Sequence, residues 1–275
     1  MKILVIGENS RLTKSLVNIS KTPLIIVKKE IYENWFDDSM LILYLKNIDF
    51  SNNDSIIITK SIINSNYDFN EVNKWNFLFQ KKIIQILEHH SIKANIFLTG
   101  SIFEKTLVRN NYLDSKRKIS NYILTNKFSF VTPLVIRLHT LYGIGNPPSN
   151  MFLGQIFTSL KNKTKFDMSD GNQVRQYHHY NEVSSFLLNI VSGSKLNVKI
   201  IDFTGSEWIK LKDLANSVYN YFNCLELLNI GSLKKPQNEI IKIENQFIKN
   251  GDFYFENPLM RINKYLEKSL NEIDN

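Results

Sequence analysis

The sequence has a single cysteine and no long hydrophobic run. Cys224 stands alone among 275 residues, which excludes an internal disulfide and any multi-cysteine zinc site. No stretch approaches the ~18 uninterrupted apolar residues of a membrane span, and the apolar run at residues 2–6 is too short for a signal-peptide core. We therefore expect a soluble protein of the reducing cytoplasm, without a membrane partner.

The chain is basic, with a formal net charge of +8 and a pI near 9.3. Such a charge suits nucleic acid or a polyanionic small molecule as a partner. The lysines and arginines are scattered along the chain, however, so we expect a solvated basic surface and no nucleic-acid interface. A hydrophobic content of 43% is enough for a full core, and the length favours one domain with a smaller lobe.

Glycine is also scarce where the chain begins like a nucleotide-binding unit. Residues 2–6 predict a strand buried on both faces, Gly7 ends it, and residues 10–19 show apolar side chains at helical spacing. The N-terminus of such a helix can receive a pyrophosphate through its backbone N–H groups. The cofactor-binding residues predicted here are Gly7, Ser10, Arg11 and Leu12.

The dinucleotide-binding turn normally carries three glycines, and two of them are missing. Ser10 and Thr13 occupy the second and third places after Gly7. Both residues are small enough for close backbone approach, but the helix and a cofactor would sit slightly differently than with glycine. The turn therefore leaves cofactor binding as a question for the structure.

Basic residues follow the second predicted strand, at residues 23–27. The tip of this strand approaches the adenosine ribose in nucleotide-binding folds, where a basic side chain accommodates a 2′-phosphate. Lys28, Lys29 and Arg11 therefore favour NADP over NAD, and the alternative is that these are ordinary surface residues.

Strands and helices alternate along the first half of the chain. Further strands are predicted at residues 54–59, 95–99, 132–138 and 198–202, and helices at 73–90 and 111–125. This alternation predicts a Rossmann-type, doubly wound parallel α/β sheet with a smaller mixed α/β lobe that binds substrate. We place the dinucleotide-binding domain at residues 1–145, with the strand at 198–202 returning to its sheet, and the lobe at 146–275. Sites lie beyond the strand C-termini, where Gly7, Thr59 and Thr99 would meet.

One helix carries a reactive pair. Tyr112 and Lys116 are four residues apart, so they lie one turn apart on one helix face. A nearby ammonium favours the phenolate, which prepares the phenol to exchange a proton with a carbinol or carbonyl oxygen. The spacing alone is expected by chance in a chain rich in lysine and tyrosine, so the surrounding landmarks must decide.

Five landmarks in order resemble the extended short-chain dehydrogenase/reductase family, in its nucleotide-sugar branch. After the strand, Gly7 and helix come Asn76, Thr99-Gly-Ser101 and Tyr112-x-x-x-Lys116. Arg-Leu-His-Thr-Leu-Tyr-Gly at 137–143 is similar to the family's Arg-Leu-x-Asn-x-Tyr-Gly turn, and residues 174–183 resemble its Arg-Asp-Phe-Ile-Tyr-Val-Asp-Asp-Val signature. The resemblance runs over nearly the whole chain.

The resemblance implies a role for each catalytic candidate. Tyr112 would be the acid or base on the sugar oxygen, and Lys116 would hold the nicotinamide ribose and tune the tyrosine. The hydroxyl that bonds the sugar oxygen would be Thr99, with Ser101 as the alternative. The helix asparagine that orders a proton-relay water would be Asn76; a different register would place it at Asn73, one turn earlier.

Substrate contacts follow from the same resemblance. Arg175 would touch the nucleotide diphosphate, because a guanidinium can bond two phosphate oxygens at once, and the alternative is a structural ion pair. His139 would face the sugar or serve as a structural histidine. His178, His179 and Glu182 lack a further ligand, so we predict no metal site. A homodimer is kept as a candidate assembly.

The candidate residues Thr99, Tyr112 and Lys116 do not distinguish epimerases, dehydratases and reductases, because all three classes would use them. Dehydratases of this branch carry an acidic pair after the Ser/Thr, whereas Gly100 and Ser101 follow Thr99 here. The short spacer to Tyr112 is similar to reductases that make CDP-abequose or dTDP-linked 6-deoxysugars. The expected function is NADPH-dependent reduction of the C4 keto group of a nucleotide-linked 4-keto-6-deoxyhexose, for a surface polysaccharide such as lipopolysaccharide O-antigen. The alternatives are an epimerase that retains NAD and a degenerate binding protein without turnover.

Overall fold

The computed structural model describes residues 1–52, 54–63, 67–193, 198–205, 207–234, 240–243 and 256–272. The strands are β1 Ile3–Ile6, β2 Ile25–Val27, β3 Ser55–Ile58, β4 Ala94–Ser101, β5 Val131–Leu138, β6 Thr140–Tyr142, β7 Phe166–Met168, β8 Val174–Arg175, β9 Tyr177–His179, β10 Ile200–Asp202, β11 Ile209–Lys210 and β12 Leu228–Ile230. The α-helices are α1 Arg11–Ile19, α2 Lys29–Tyr32, α3 Asp38–Asn47, α4 Phe69–Asn73, α5 Phe79–His89, α6 Asn111–Thr125, α7 Phe152–Asn162, α8 Tyr180–Gly193, α9 Leu211–Tyr221 and α10 Pro258–Asn271. The chain divides into two compact units, Met1–Leu138 with Val183–Phe203, and His139–Glu182 with Thr204–Asn275.

The first unit is built on a six-stranded parallel sheet, which confirms the predicted Rossmann-type α/β fold. The strand order is β10-β5-β4-β3-β1-β2. In this order the direction of winding reverses between β1 and β3, and a crevice opens at such a switch point beyond the strand C-termini. The predicted return of the chain to the sheet occurs at β10, where Ile201 pairs with Ile136 of β5.

The inner strands read as continuous apolar runs because helices cover both faces of the sheet. All four residues of β1 and all four of β3 are buried. Helix α1 contributes Leu12 and Leu16 to the buried set, and α5 contributes Ile83, Ile84 and Leu87. This packing fixes the carboxyl ends of β1, β3 and β4 relative to one another.

The long helix predicted at residues 73–90 is wrong in detail. Helix α4 starts earlier, at Phe69, and the segment Lys74–Leu78 forms a turn of π-helix before α5 begins. Apolar spacing does not distinguish such a turn from regular helix, because both keep one face buried. The π turn carries Asn76 and places Trp75 against Phe79, with ring centroids 5.1 Å apart.

The second unit has its own core and three two-stranded ladders. Strand β6 pairs with β9 and β7 with β12 in parallel, and β8 pairs with β11 in antiparallel fashion. Helix α9 starts at Leu211, directly after Ile209–Lys210, which pairs with β8. Tyr219 stacks on Phe166 and donates its hydroxyl hydrogen bond to Ser159 Oγ. Within the described residues, no helix is long and apolar enough to cross a membrane.

Candidate active site

Gly7 lies where the chain leaves β1, with a φ of +121° that favours glycine. A Cβ at this position would lie 2.5 Å from Thr59 Oγ1 and 2.6 Å from the Lys60 nitrogen. The turn therefore presses against the end of β3, and no side chain fits there. Gly7 is required by backbone conformation and by close approach, as the sequence predicts for this position.

The hydroxyl groups of Thr13 and Thr59 fill the place where the three-glycine pattern has its third glycine. Thr13 Oγ1 donates to the carbonyl of Gly7 at 2.7 Å and lies 2.7 Å from Thr59 Oγ1. Thr59 Oγ1 is also 3.0 Å from the carbonyl of Ile6, and its one proton goes either to that carbonyl or to Thr13 Oγ1. Both threonines are buried. Helix α1, the turn and β3 are thus tied by hydrogen bonds where the three-glycine pattern uses bare backbone contact.

The N-terminus of α1 points into the same turn. Ser10 is the N-cap, and its Oγ accepts from the backbone N–H of Leu12 at 3.2 Å. The Ser10 N–H donates to the Gly7 carbonyl at 2.9 Å, which closes the turn. Leu12 packs into the core, whereas Arg11 is half-buried. The first turn of α1 therefore offers the helix-dipole end that favours an anion.

Tyr112 and Lys116 lie on one face of α6, as their spacing predicts. Lys116 is almost fully buried, and its Nζ donates to the carbonyl of Thr99 at 2.6 Å. The same Nζ lies 5.8 Å from the centroid of the Tyr112 ring. The ammonium thereby joins the half-buried phenol to the end of β4. Tyr112, Lys116 and Thr99 are brought together within the first unit.

Burial alters the acidity of this lysine. Desolvation lowers the pKa of Lys116 from its ordinary 10.5 to about 8, and the negative charge of Glu104 opposes the shift. At neutral pH the ammonium is still protonated. It therefore supplies a positive charge close to the phenol, the arrangement that eases proton transfer from a tyrosine.

Asn76 is buried in the π turn, and its amide is fully engaged. Its Oδ1 accepts from the Ile62 N–H at 2.8 Å and from Ser61 Oγ at 3.1 Å. Its Nδ2 donates to the Ile62 carbonyl at 2.9 Å and to Ser115 Oγ at 3.1 Å. Ser115 in turn donates to the carbonyl of Tyr112 at 2.6 Å. The side chain thus links the loop after β3 to the start of α6.

The alternative asparagine lies elsewhere. Asn73 Oδ1 accepts from the exposed Lys118 ammonium at 2.8 Å, on the outside of the unit. Both asparagines therefore contact α6, but Asn76 is the buried one, and it bonds Ser115, which lies between Tyr112 and Lys116.

Ser101 and Thr99 share one face of β4, but their surroundings differ. The Ser101 Oγ accepts from the Phe103 N–H, and the Glu104 carboxylate accepts from the Ser101 N–H, which together form a capping box for the 3₁₀ turn Ile102–Lys105. Ser101 is buried, whereas Thr99 is half-buried. The Ser101 hydroxyl thus has a structural partner, which favours Thr99 as the substrate hydroxyl. Sequence reasoning missed Glu104, although Ser-x-x-Glu is a capping-box pattern.

A cavity of about 500 Å³ opens beside the ends of β2 and β3. Its lining includes Lys29, Lys60, Lys74 and Trp75. The ammonium groups of Lys60 and Lys74 lie 5.0 and 5.2 Å from the Trp75 ring centroid. Burial, and then the charge of Lys29, lower the pKa of Lys60. Such a group is stabilised by a bound anion.

Of the basic residues predicted from the sequence, Lys29 reaches this cavity. Its Nζ also pairs with Glu33 at 3.5 Å, and Glu33 is part of the lining. Lys28 is exposed at the N-cap of α2. The sequence does not indicate that Lys60 and Lys74 line a cavity, because each is an isolated lysine. The fold brings both of them to the side chain of Trp75.

The candidate substrate residues His139 and Arg175 belong to the second unit. His139 is buried, and its ring lies 5.5 Å from Trp208 and 5.7 Å from His178. Arg175 is half-buried and donates through Nη1 to the carbonyls of Val174 and Ile241.

The histidines after Arg175 are held in their neutral forms. Burial, reinforced by His139, lowers the pKa of His178 to about 3, and burial with the charge of Arg261 lowers that of His179 to about 4. Glu182 accepts from the His179 N–H at 2.7 Å and from Arg261 at 2.8 Å. Among the described residues there is no cluster of three or more potential metal ligands.

No family model matches the sequence, and no curated protein matches it. Solved structures match in fold over nearly the whole chain. RMD from Pseudomonas aeruginosa complexed with NADPH has a TM-score of 0.75 at 13% identity and covers 99% of this chain and 100% of its own. UDP-glucuronic acid 4-epimerase from Bacillus cereus, with UDP-glucuronic acid and NAD, has a TM-score of 0.76 at 15% identity and the same coverage. dTDP-glucose 4,6-dehydratase from Bacillus anthracis, with NAD, has a TM-score of 0.73 at 14% identity, covering 98% of each chain. At these identities the likeness establishes the fold.

Proposed function

We propose that this protein is an NADPH-dependent reductase of the C4 keto group of a nucleotide-linked 4-keto-6-deoxyhexose, with a dTDP- or CDP-sugar as substrate and a deoxysugar for surface polysaccharide as the end use. The observation that carries the proposal is the buried Lys116, bonded to the Thr99 carbonyl and 5.8 Å from the Tyr112 ring. The fold neighbours complexed with NADPH, NAD and nucleotide sugars support the same class of chemistry.

Each candidate residue has a proposed role in the reduction. Tyr112 donates its phenolic proton to the C4 oxygen as that atom gains negative charge, and the Lys116 ammonium stabilises the resulting phenolate. Thr99 offers its hydroxyl to the same oxygen. Asn76 positions the start of α6 through Ser115. Bound NADPH supplies the hydride.

The turn after β1 is suited to a dinucleotide. A Cβ at Gly7 would collide with Thr59, and the Ser10-capped end of α1 faces this turn, so backbone can approach a pyrophosphate closely. Lys116 would hold the nicotinamide ribose. These contacts support binding despite the two missing glycines.

NADPH preference is assigned to the cavity lined by Lys29, Lys60 and Lys74. A 2′-phosphate carries nearly two negative charges, and three ammonium groups around one cavity favour it over a hydroxyl. Replacing Lys60 by Met is expected to lower the affinity for NADPH and leave that for NADH nearly unchanged, whereas Lys28→Met leaves both unchanged. Tighter binding of NADH than of NADPH by the unaltered protein would contradict the assignment.

The chemistry is tested by a Tyr112→Phe variant, with Tyr122→Phe on the same helix as the matched control. NADPH consumption is followed with dTDP-, CDP-, GDP- and UDP-linked 4-ketosugars, and the product is identified by NMR. We expect Tyr112→Phe to fold, bind cofactor and lose at least about 100-fold in rate, the usual contribution of a general acid. A wild-type rate for this variant would sink the mechanism.

Epimerisation is the second candidate, because a fold neighbour is a UDP-glucuronic acid 4-epimerase. An epimerase keeps its NAD through the catalytic cycle, whereas a reductase exchanges cofactor. When protein purified without added cofactor is denatured, we expect it to release much less than one dinucleotide per chain. Release of one NAD per chain, together with interconversion of two sugar epimers, would replace the reductase proposal.

A further inference from the structure

The carboxylate of Glu104 is buried directly beneath the end of β4. Its Oε1 accepts from the backbone N–H of Ser101 at 2.7 Å. Its Oε2 accepts from Ser120 Oγ at 2.6 Å and from Arg137 Nε at 3.2 Å. Burying a charge of this kind is costly unless every oxygen is bonded, and both oxygens are bonded here.

Gly100 makes room for this carboxylate. A Cβ at position 100 would lie 2.8 Å from Glu104 Oε1, 2.7 Å from Val135 Cγ1 and 3.1 Å from Arg137 Cγ. The glycine between Thr99 and Ser101 thus allows an acidic side chain and its arginine to fill the space under the strand.

Two buried side chains bond the main chain of the same short segment. Lys116 donates to the carbonyl of Thr99, and Glu104 accepts from the N–H of Ser101, two residues further on. The main chain that presents the Thr99 hydroxyl is therefore held at two points by buried groups of opposite charge. Because the charge of Glu104 also opposes the effect of burial on Lys116, the two groups are coupled electrostatically as well.

We propose that Glu104 is a positioning residue of the catalytic centre, which fixes residues 99–101 so that the Thr99 carbonyl meets Lys116. Other charged or titratable groups lie around Glu104 and Lys116. Arg117 and Tyr112 belong to α6 and Arg137 belongs to β5. Asp202 belongs to β10 and pairs with Arg137 at 3.6 Å and with Lys105 at 2.9 Å. The catalytic consequence of the proposal rests on the proposed function, but the coupling itself does not.

The coupling is tested without substrate, by following the ¹³Cε signal of Lys116 against pH in lysine-labelled protein, with Lys116→Met for assignment. In Glu104→Gln we expect the Lys116 midpoint to fall by roughly one pH unit, the effect of losing a nearby opposite charge. Glu88→Gln is the matched control, because Glu88 also binds backbone N–H groups, at Ser129, Phe130 and Val131. It should leave the midpoint unchanged. An unchanged midpoint in Glu104→Gln would overturn the proposal.

Catalysis and main-chain order supply the second readout. With a reducible ketosugar, Glu104→Gln is expected to lower kcat on the order of 10- to 100-fold with little change in KM, as a displaced catalytic group does. Should Glu104→Gln not fold, Glu104→Asp keeps the charge but shortens the reach. It should keep the Lys116 midpoint and increase hydrogen exchange at the Ser101 amide. If the Ser101 amide of Glu104→Asp exchanged at the wild-type rate, the positioning role of Glu104 would be refuted. If the wild-type protein reduced none of the ketosugars, only the proposed function would be refuted.

Discussion

Replacing Lys116 by methionine is expected to stabilise the protein at neutral pH while abolishing its activity. Below pH 8 this lysine is protonated in both the folded and the unfolded chain, so the folded state bears the full cost of a buried ammonium. The difference between 10.5 and about 8 corresponds to on the order of 3 kcal/mol, at ~1.4 kcal/mol per pH unit. Losing the bond from this charged donor to the Thr99 carbonyl costs about 2 kcal/mol. A net gain of about 1 kcal/mol remains, or roughly 2–4 °C in Tm.

The pH dependence gives the sign of the effect. Between pH 8 and 10.5 the folded lysine loses its proton while the unfolded lysine keeps it, so the stability of the wild-type protein rises with pH in this window. Methionine does not titrate, so the stability of the Lys116→Met protein should not rise in this pH range. The difference in stability between it and wild type should therefore vanish or change sign by pH 10.5. Thermal unfolding of both proteins from pH 6 to 10.5, with the exposed Lys14→Met as control, measures this difference. A Lys116→Met protein that is less stable than wild type by the same amount at every pH would refute the reasoning.

Three further changes test other parts of the structure. Thr13→Val removes the hydroxyl that bonds Gly7 and Thr59, and urea unfolding should show a loss of about 1–3 kcal/mol; Thr13→Gly, which restores the third glycine of the pattern but leaves Ser10 in the second place, should lose at least as much. Because the folded pKa of His178 is depressed, stability should fall as pH drops below 6.5, by about 2 kcal/mol at pH 5, and His178→Gln should flatten this acid limb in a pH series of melts. Gly143→Ala sets a Cβ 2.1 Å from His179 Nε2 at a φ of +108°, so calorimetry should show a cost of roughly 2–4 kcal/mol, against none for Gly193→Ala.

The sheet could be predicted because its strands are encoded locally. Runs such as residues 3–6 and 56–58 are apolar throughout, and a strand buried on both faces needs nothing else. The Tyr112 and Lys116 pair could be predicted for the same reason, since four residues of one helix fix their relative placement. The π turn at Asn76 could not, because its apolar face has the same spacing as a regular helix.

Contacts distant in sequence were out of reach of local patterns. Thr13 and Thr59 are 46 residues apart, and only the pairing of β1 with β3 makes their hydroxyls meet. The lysines that line the cavity come from α2, from the loop after β3 and from the π turn, so no charge cluster in the sequence indicates them. The erosion of the glycine pattern was visible, but what replaces it was not.

The positions of the glycines bear on whether the site is degenerate. A decayed turn would leave buried polar groups without partners and space without side chains. At position 13 the glycine is replaced by a threonine whose hydroxyl bonds the turn and β3. At position 100 a glycine admits Glu104 and Arg137, which bond each other and the main chain beside Thr99. Both positions thus come with a specific compensating contact at the strand ends. Such contacts are expected of a site that keeps its proposed activity, and the ketosugar assay tests that activity.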